Sequence, residues 1–212
     1  TQDLFLIYEN MEWLNSIKQL MEYNSNNNLT NRLVLGWVGN DWDSVSQTVY
    51  EYNMDDQNSK ILFQSWDGTS WVNNQQFLFE YDGNGNQNVL TYQTWSGSDW
   101  ANFYKNMSEY DSQGNITSEV TQTYSTDWEN ASKAVWEYDG SNNRTLFRFQ
   151  NWMVNDWENA FQSVYEFNSN NNQTLRLKQD WSGTDWFDDY KIVTDYDASE
   201  NITLEFRQDW NG

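Results

Sequence analysis

A repeat of 29 residues runs through this 212-residue chain and constrains its fold more than any other feature. One tryptophan recurs at steps of 29, 29, 29, 28, 29 and 29 residues, at Trp13, Trp42, Trp71, Trp100, Trp128, Trp157 and Trp186. A tyrosine, or once a phenylalanine, follows 10 residues after each of them. We therefore describe residues 1–212 as one array, whose units begin near Tyr8, Trp37, Trp66, Trp95, Tyr124, Trp152 and Trp181, with a partial unit at Trp210.

Each unit contains two strand signals. The runs 71–81 and 60–66 are examples, since both are rich in aromatic and β-branched residues and are bounded by Gly, Asn, Asp and Ser. The predicted fold is an all-β tandem-repeat antiparallel meander, with two strands per 29 residues and about 14 strands. Neither face carries the continuous aliphatic surface that a sandwich core needs. We therefore expect a curved single-layer sheet or an open β-solenoid.

The two connections within a unit differ in turn chemistry. Between the paired tryptophans, the dipeptides 39–40, 68–69, 97–98 and 183–184 place glycine first, which predicts a type II′ turn. Residues 125–127 predict a three-residue loop at the same point. The other connection is a five-residue segment rich in Asp and Asn, such as 82–86. These residue types hydrogen-bond their own turns and tolerate left-handed backbone.

The stretch from Met11 to Tyr23 has two possible interpretations. Met11, Leu14 and Met21 lie at helical spacing, so that the segment read alone favours a helical cap. Its tryptophan, asparagine, glutamate and tyrosine match the phase of the six other units. The repeat therefore predicts a strand.

Alternation along the strands assigns side chains to faces, because residues two apart share a face. Counting from Trp42 places Ser44, Ser46, Thr48, Tyr50 and Tyr52 on one face, and counting from Trp71 adds Phe77 and Phe79. The same face is predicted to hold a glutamine ladder at Gln64, Gln93, Gln122, Gln150, Gln179 and Gln208. The opposite face is predicted to carry a wet acidic column at Glu22, Glu51, Glu80, Glu109, Glu137, Glu166 and Asp195.

Composition excludes several classes of function. The chain has no histidine and no cysteine, which removes the commonest general base and both common zinc ligands. Its net charge of −21 opposes binding to nucleic acid, which requires lysine and arginine. No apolar run approaches the ~20 residues of a membrane span. Acidic residues recur in every unit, whereas a catalytic pair is unique, so we predict that the chain is not an enzyme.

The pattern W-x-G-x-D-W-x-N followed by Y-x-Y-D-x-x-x-N-x-T resembles tandem repeats of secreted and surface proteins of Bacteroidota, which commonly leave the cell by type IX secretion. The segments Tyr81 to Asn86 and Tyr110 to Asn115 are also similar, more distantly, to tyrosine–aspartate repeats of toxin-shell proteins. The resemblance covers the full chain. It implies an extracellular, non-catalytic role.

Two sets of residues are candidate ligand sites. The first is a tryptophan ridge of cross-strand pairs, whose flat rings could stack on sugars. Its members are Trp37, Trp42, Trp66, Trp71, Trp95, Trp100, Trp152, Trp157, Trp181 and Trp186. The second is a set of loop oxygens that could bind Ca²⁺, at Asp55, Asp56, Asp82, Asn84 and Asn86. The sequence favours ordinary polar turns over calcium, and it implies no other cofactor.

The sequence thus predicts an extracellular or cell-surface structural or adhesive repeat segment, a stalk or fibre that could form filaments. The alternative is a carbohydrate-binding module that uses the tryptophan ridge. The sequence begins within a returning strand and stops in the next tryptophan turn. Open strand edges invite another chain. The expected partners are therefore further repeats or copies of the chain, and an extracellular glycan under the alternative.

Overall fold

A computed structural model of the chain describes the backbone of residues 2–9 and 12–211, and side chains from Asn15 onward. All regular structure in these residues is β-strand, which confirms the all-β prediction. The strands are β1 Gln2–Glu9, β2 Glu12–Tyr23, β3 Leu29–Val38, β4 Asp41–Tyr52, β5 Asn58–Trp66, β6 Trp71–Tyr81, β7 Gln87–Trp95, β8 Trp100–Tyr110, β9 Ile116–Tyr124, β10 Trp128–Tyr138, β11 Arg144–Met153, β12 Asp156–Phe167, β13 Gln173–Trp181, β14 Trp186–Tyr196 and β15 Ile202–Asp209.

The strands follow one another in chain order as an antiparallel meander with two strands per repeat, as predicted. Fifteen strands are described rather than about 14, because a returning strand lies at each end of the series. The chain divides into two compact units, 1–105 and 106–212, and the division falls within β8. The stretch that favoured a helix when read alone is strand β2, so the repeat phase predicted it correctly.

Little of the described chain is deeply buried. Only seven described residues are buried, and five of these are polar: Gln76, Ser118, Gln162, Ser163 and Thr194. The two buried hydrophobic residues are Leu146 and Tyr165, each 8% exposed. Most strand residues are half-buried on both faces. Stability therefore comes from strand pairing and from contacts between neighbouring strands, not from a central core.

A β-bulge in the tryptophan hairpins overturns the predicted faces. In β3–β4, Leu35 pairs with Ser44 and Val34 pairs with Ser46, so that Val45 has no partner. The extra residue shifts the alternation by one. The same shift leaves out one residue in five other hairpins of this type: Ser16, Asn74, Ala131, Ala160 and Asp189.

The corrected faces follow from the register. Beyond the bulge, Trp42 and Ser44 share a face with Gln47, Val49 and Glu51, not with Ser46, Thr48, Tyr50 and Tyr52. Phe77 likewise lies on the face opposite Trp71. The acidic column is exposed, as predicted, but it lies on the tryptophan face. The prediction failed because a bulge adds one residue to a strand without changing the length of the repeat.

A second bulge follows six of the five-residue loops. Glu51 pairs with Lys60 and Tyr52 with Asn58, which leaves Ser59 without a partner. The corresponding residue is Thr30, Asn88, Thr145, Thr174 or Thr203 in other units. The threonine of the N-x-T motif is therefore most often the bulged residue, and the asparagine before it ends the loop.

Candidate functional site

The tryptophan ridge consists of hairpin pairs, as the spacing predicts. Its five pairs have ring centroids 4.9–5.1 Å apart and interplanar angles of 62–71°, an edge-to-face arrangement. Tyr124 and Trp128 form the equivalent pair in the shorter hairpin, at 5.1 Å. All ten tryptophans of the ridge are half-buried. Each pair therefore stabilises its hairpin and still leaves part of its indole surface open to a ligand.

Two of these rings also face a cation. Lys18 Nζ lies 5.9 Å from the ring centroid of Trp42, and the guanidinium carbon of Arg148 lies 5.6 Å from that of Trp186. Cations at such distances are attracted to the electron-rich face of indole. A ligand that stacks on Trp42 or Trp186 therefore has to displace or share that cation.

The glutamines of the predicted ladder bond to side chains of the strands between them, and no bond of the described residues joins two of these glutamines to each other. Gln47 Nε2 donates to Gln64 Oε1 over 2.6 Å, and Gln64 Nε2 donates to Asn73 Oδ1 over 2.8 Å. The same relay runs from Gln162 through Gln179 to Asp188. Gln93, Gln122 and Gln150 also donate to an Asn on the next strand. Each relay ends on the residue two positions after the hairpin tryptophan, such as Asn73 or Asp188, and it lies beside the tryptophan ridge on the same face.

The side chain that opens each five-residue loop holds the loop closed. Asp82 Oδ1 accepts the backbone N–H groups of Asn84 and Asn86, at 2.8 and 2.9 Å. The first residue of every other loop does the same, at Asn24, Asn53, Asp111, Asp139, Asn168 and Asp197. The fourth residue of every loop has positive φ, and it is glycine only at Gly85 and Gly114.

Neighbouring loops are also joined to one another. Asn28 Nδ2 donates to Asp56 Oδ1 over 2.9 Å, and Gln57 Nε2 donates to the carbonyl of Gly85 over 2.8 Å. Asn115 and Asn143 make the equivalent bonds to Asn142 and Asn171. The last residue of one loop thus contacts the left-handed residue of the next. This contact explains why the loops are rich in asparagine.

These bonds engage two of the five side chains proposed as calcium ligands, Asp82 and Asp56. Asp82 accepts three N–H bonds, the third from Asn86 Nδ2, and Asp56 Oδ1 accepts the amides of Asn26 and Asn28. Asp55 is exposed. Among the side chains that the structure describes, from Asn15 onward, no cluster of three or more Asp and Glu residues is placed to hold a metal ion. The geometry of these loops fits turn chemistry.

The turn bonds lower the pKa values of the capping carboxyls. In the hairpin loop 67–70, the backbone N–H groups of Ser70 and Thr69 lower the pKa of Asp67 to about 2. The side-chain amide of Asn86 lowers the pKa of Asp82, and the equivalent amides lower those of Asp111, Asp139 and Asp197. Hydrogen bonds to the charged form cause each shift. These loops are therefore most stable when the carboxylates are ionised.

The hairpin turns agree with the prediction in backbone conformation. Gly39, Gly68, Gly97 and Gly183 all have positive φ, as a leading glycine predicts. In three of these turns a side chain supplies the closing acceptor, since Asp67, Ser96 and Ser182 accept the N–H group three residues on. The loop 125–127 has the predicted three residues, closed by a bond from Ser125 N to the Asp127 carbonyl.

The face opposite the tryptophan ridge carries an aromatic cluster that the sequence did not predict. Phe77 lies 6.0 Å from Phe63 and 5.0 Å from Tyr92, and Phe149 lies 5.4 Å from Phe161. The bulge places Phe77 and Phe161 on this face, and simple alternation from the hairpin tryptophans assigned these two rings to the wrong face. Trp136 also lies on this face, 5.7 Å from Phe147. Trp136 is the one tryptophan of the sequence outside the hairpin columns. The sequence therefore did contain a signal that this position differs from its equivalents.

Comparisons with known proteins give the following likenesses. No known protein family matches the sequence, and no curated protein matches it. A protein of unknown function from Bacteroides fragilis is 12% identical, with a TM-score of 0.46 over 57% of this chain and 91% of its own. A porin-like protein from Bacteroides uniformis is 12% identical, with a TM-score of 0.39 over 99% of this chain and 91% of its own. A TcdB2-TccC3 structure is 11% identical, with a TM-score of 0.39 over 90% of this chain and 14% of its own.

The fold itself defines the class. The chain is a β-rich tandem-repeat protein, built from hairpins that share one loop chemistry and one bulge pattern. No helix occurs among the described residues, and so none that could cross a membrane. The more specific role of the chain is inferred from its own geometry.

Proposed function

We propose that the chain is a non-enzymatic structural or adhesive repeat segment of an extracellular or cell-surface protein, acting as a stalk or fibre. The observation that supports this role is that every five-residue loop is closed by its own first side chain, while strands pair only with their chain neighbours. Units built in this way can be added or removed without disturbing a shared core. A spacer needs this property, and the resemblance to repeats of Bacteroidota surface proteins agrees with it.

The charged groups support a non-catalytic role. The acidic column is exposed at every position, and each unit contributes one carboxylate to it. Glu51 pairs with Lys60 at 2.6 Å, and Glu109 accepts a bond from Ser118 at 2.8 Å. A catalytic pair requires two carboxyls whose surroundings differ from those of all others. The carboxylates of the acidic column instead share one environment that repeats from unit to unit, and we assign the column to solubility.

Self-association is proposed to occur through strand edges. Among the described strands, β1 pairs only with β2 and β15 only with β14. Every residue of β15 is exposed, including Ile202, Leu204 and Phe206 at 58, 45 and 38%. An exposed strand edge with apolar side chains is a template for another strand. A second copy or a further repeat could therefore continue the meander there.

Sedimentation velocity over a range of concentrations tests this association. The wild-type chain is expected to form larger species as its concentration rises, and Leu204→Lys is expected to reduce them by placing a charge on the edge strand. Thr184→Lys makes the same change in charge in an exposed hairpin loop and serves as the control. Equal association of all three chains would rule out the β15 edge as the contact.

Location at the cell surface is tested on intact cells of the source organism. Antibodies against the chain are expected to label unpermeabilised cells, and brief external proteolysis is expected to remove the label. A cytoplasmic protein followed in the same samples controls for lysis. Label that appears only after permeabilisation would contradict the proposal.

A carbohydrate-binding role for the tryptophan ridge is the second candidate. It is favoured by the half-exposure of all ten tryptophans and by the amide ladder beside them. Flat apolar rings beside amides suit sugars, which present both C–H faces and hydroxyls. Intrinsic fluorescence measured with neutral polysaccharides tests this role, because stacking shifts tryptophan emission. An unchanged spectrum would contradict sugar binding by the tryptophan ridge, and the structural role would remain.

A further inference from the structure

The unit that begins at Tyr124 departs from the repeat at both of its ends. At the hairpin end it has Tyr124 in place of tryptophan, and a loop of three residues. At the other end it has Trp136, where the other units from β4 onward have Tyr50, Phe79, Ser108, Tyr165 and Thr194. In an array of near-identical units, a position that differs in chemistry is where specific recognition can reside. A cleft lies at this position.

The cleft opens between the loop that follows β8 and the loop that follows β10. It has a volume of about 560 Å³ and is lined by Asp111, Ser112, Gln113, Thr117, Trp136, Glu137, Tyr138, Asp139 and Gly140. This volume falls within the range of about 300–1,000 Å³ that small-ligand sites occupy. The lining combines one indole with hydroxyl, amide and carboxylate groups.

The walls of the cleft are held rigid by their own hydrogen bonds. Asp111 Oδ1 accepts the N–H groups of Gln113 and Asn115, both at 2.9 Å, and Asp139 closes the neighbouring loop in the same way. Asn115 Nδ2 donates to Asn142 Oδ1 over 2.7 Å and joins the two loops. A ligand therefore meets a cleft that is already formed, which reduces the entropy cost of binding.

The charge of the lining limits which ligands the cleft can bind. Three of its residues are acidic and none is lysine or arginine. Anionic ligands such as uronic acids or phosphates are repelled by such a lining. Hydroxyl groups are good partners for carboxylate and amide oxygens, and the C–H face of a pyranose ring can lie against indole.

We propose that the Trp136 cleft binds a neutral sugar residue, stacked on Trp136 and hydrogen-bonded to the loop walls. This site is separate from the tryptophan ridge and does not depend on the structural role proposed above. It would give the array one specific contact in an otherwise uniform surface.

Fluorine NMR of the full chain labelled with 5-fluorotryptophan tests the proposal, because it separates the signals of the 14 tryptophans. The Trp136 signal is assigned with Trp136→Phe. The probes are cellohexaose, mannohexaose, xylohexaose and hexa-N-acetylchitohexaose, with trigalacturonic acid as the anionic comparison. At least one neutral probe is expected to move the Trp136 signal in a saturable way, and trigalacturonic acid is expected to leave it unchanged.

Two exposed loop residues provide matched variants. Gln113 lines the cleft and is the third residue of its loop, and Asn170 is the third residue of the loop after β12. Gln113→Ala is expected to weaken binding about tenfold, while Asn170→Ala leaves it unchanged. The proposal is overturned if no neutral probe at about 10 mM moves the Trp136 signal. It is also overturned if only ridge signals move, an outcome that would instead favour the ridge as the carbohydrate site.

Discussion

Gln47 and Gln64 lie directly opposite each other on β4 and β5, and a bond of 2.6 Å joins Gln47 Nε2 to Gln64 Oε1. Gln64 also donates to Asn73 on β6. Gln64→Ala removes both bonds and leaves two half-buried amides without this partner. We expect the free energy of unfolding to fall by about 1–3 kcal/mol, measured by urea denaturation.

The same column supplies a control for this prediction. Gln208 occupies the equivalent position on β15 and is exposed. Gln208→Ala is expected to change stability by less than about 0.5 kcal/mol. If the two variants lower the free energy of unfolding equally, the hydrogen bonds of Gln64 contribute nothing to stability beyond the presence of the side chain.

Val154 is a strained residue whose replacement should stabilise the chain. It occupies the first position of a hairpin turn, with φ of 59°, where other hairpins have glycine. Left-handed backbone costs a residue with a Cβ atom roughly 1–2 kcal/mol. The side chain is 90% exposed, so little packing is lost on its removal. Val154→Gly is expected to raise the free energy of unfolding by about 1 kcal/mol, measured by thermal denaturation.

The reverse change at Gly183 checks the cause. Gly183 has φ of 98° in the corresponding turn, and a Cβ atom placed there would meet no heavy atom within 4 Å. Gly183→Val should therefore lower stability by backbone strain alone. If Val154→Gly destabilises the chain, the flexibility of glycine in the unfolded state outweighs the strain.

The repeat predicts that equivalent tryptophans contribute equally. Trp100 and Trp157 each pair edge to face with a second tryptophan, at 5.1 and 4.9 Å, and both are half-buried. Either change to alanine is expected to cost about 2 kcal/mol, below the range for fully buried aromatic residues. Urea denaturation of the two variants measures the costs. Values that differ by more than about 1 kcal/mol would contradict the equivalence of units.

Stability at low pH should depend on Asp67. Its folded pKa is about 2, against an ordinary value of 3.8, because hydrogen bonds stabilise the carboxylate. A lowered folded pKa stabilises the fold above the ordinary pKa, and this contribution is lost as pH falls toward 2. The difference in melting temperature between wild type and Asp67→Asn should therefore be constant above about pH 4 and shrink between pH 4 and 2.

Ser182 closes a corresponding hairpin turn with a hydroxyl group in place of a carboxylate. The effect of Ser182→Ala on melting temperature should stay level between pH 4 and 2. A carbon NMR titration of the Asp67 carboxyl gives the same information directly. A midpoint near 3.8 would show that the turn bonds do not hold the charge.

The sequence predicted the features that recur at fixed spacing. Strands, loops, the positive φ of Gly68 and the pairing of Trp66 with Trp71 all follow from residue types that repeat every 29 residues. The distribution of side chains between faces could not be predicted in the same way. Asn74 and its equivalents are bulged because the strands pair around them, and pairing is not visible in a pattern read along one strand. One clue was present, since Gln47 and Gln64 could both join an amide ladder only if a bulge lay between Trp42 and Gln47.

The candidate sites also include features that the sequence predicts and one that required the structure. The paired geometry of Trp37 and Trp42 follows from a two-residue hairpin loop between them. The role of Asp82 as a turn cap also agrees with its place at the start of a polar loop. The cleft at Trp136 required the structure, because its walls come from two loops that are separated by two strands in sequence.

The self-closing five-residue loops have a consequence for how the chain folds. Asp82 and Asn86 are four residues apart when they close their loop, and Ser46 and Ser65, among the most widely separated strand partners, are 19 apart. Loops this short close with little loss of chain entropy, and folding rates rise as contacts become more local. Any hairpin of the array can therefore nucleate first, and its neighbours can add to it in either direction. A longer array of the same units would fold no more slowly per unit than a short one.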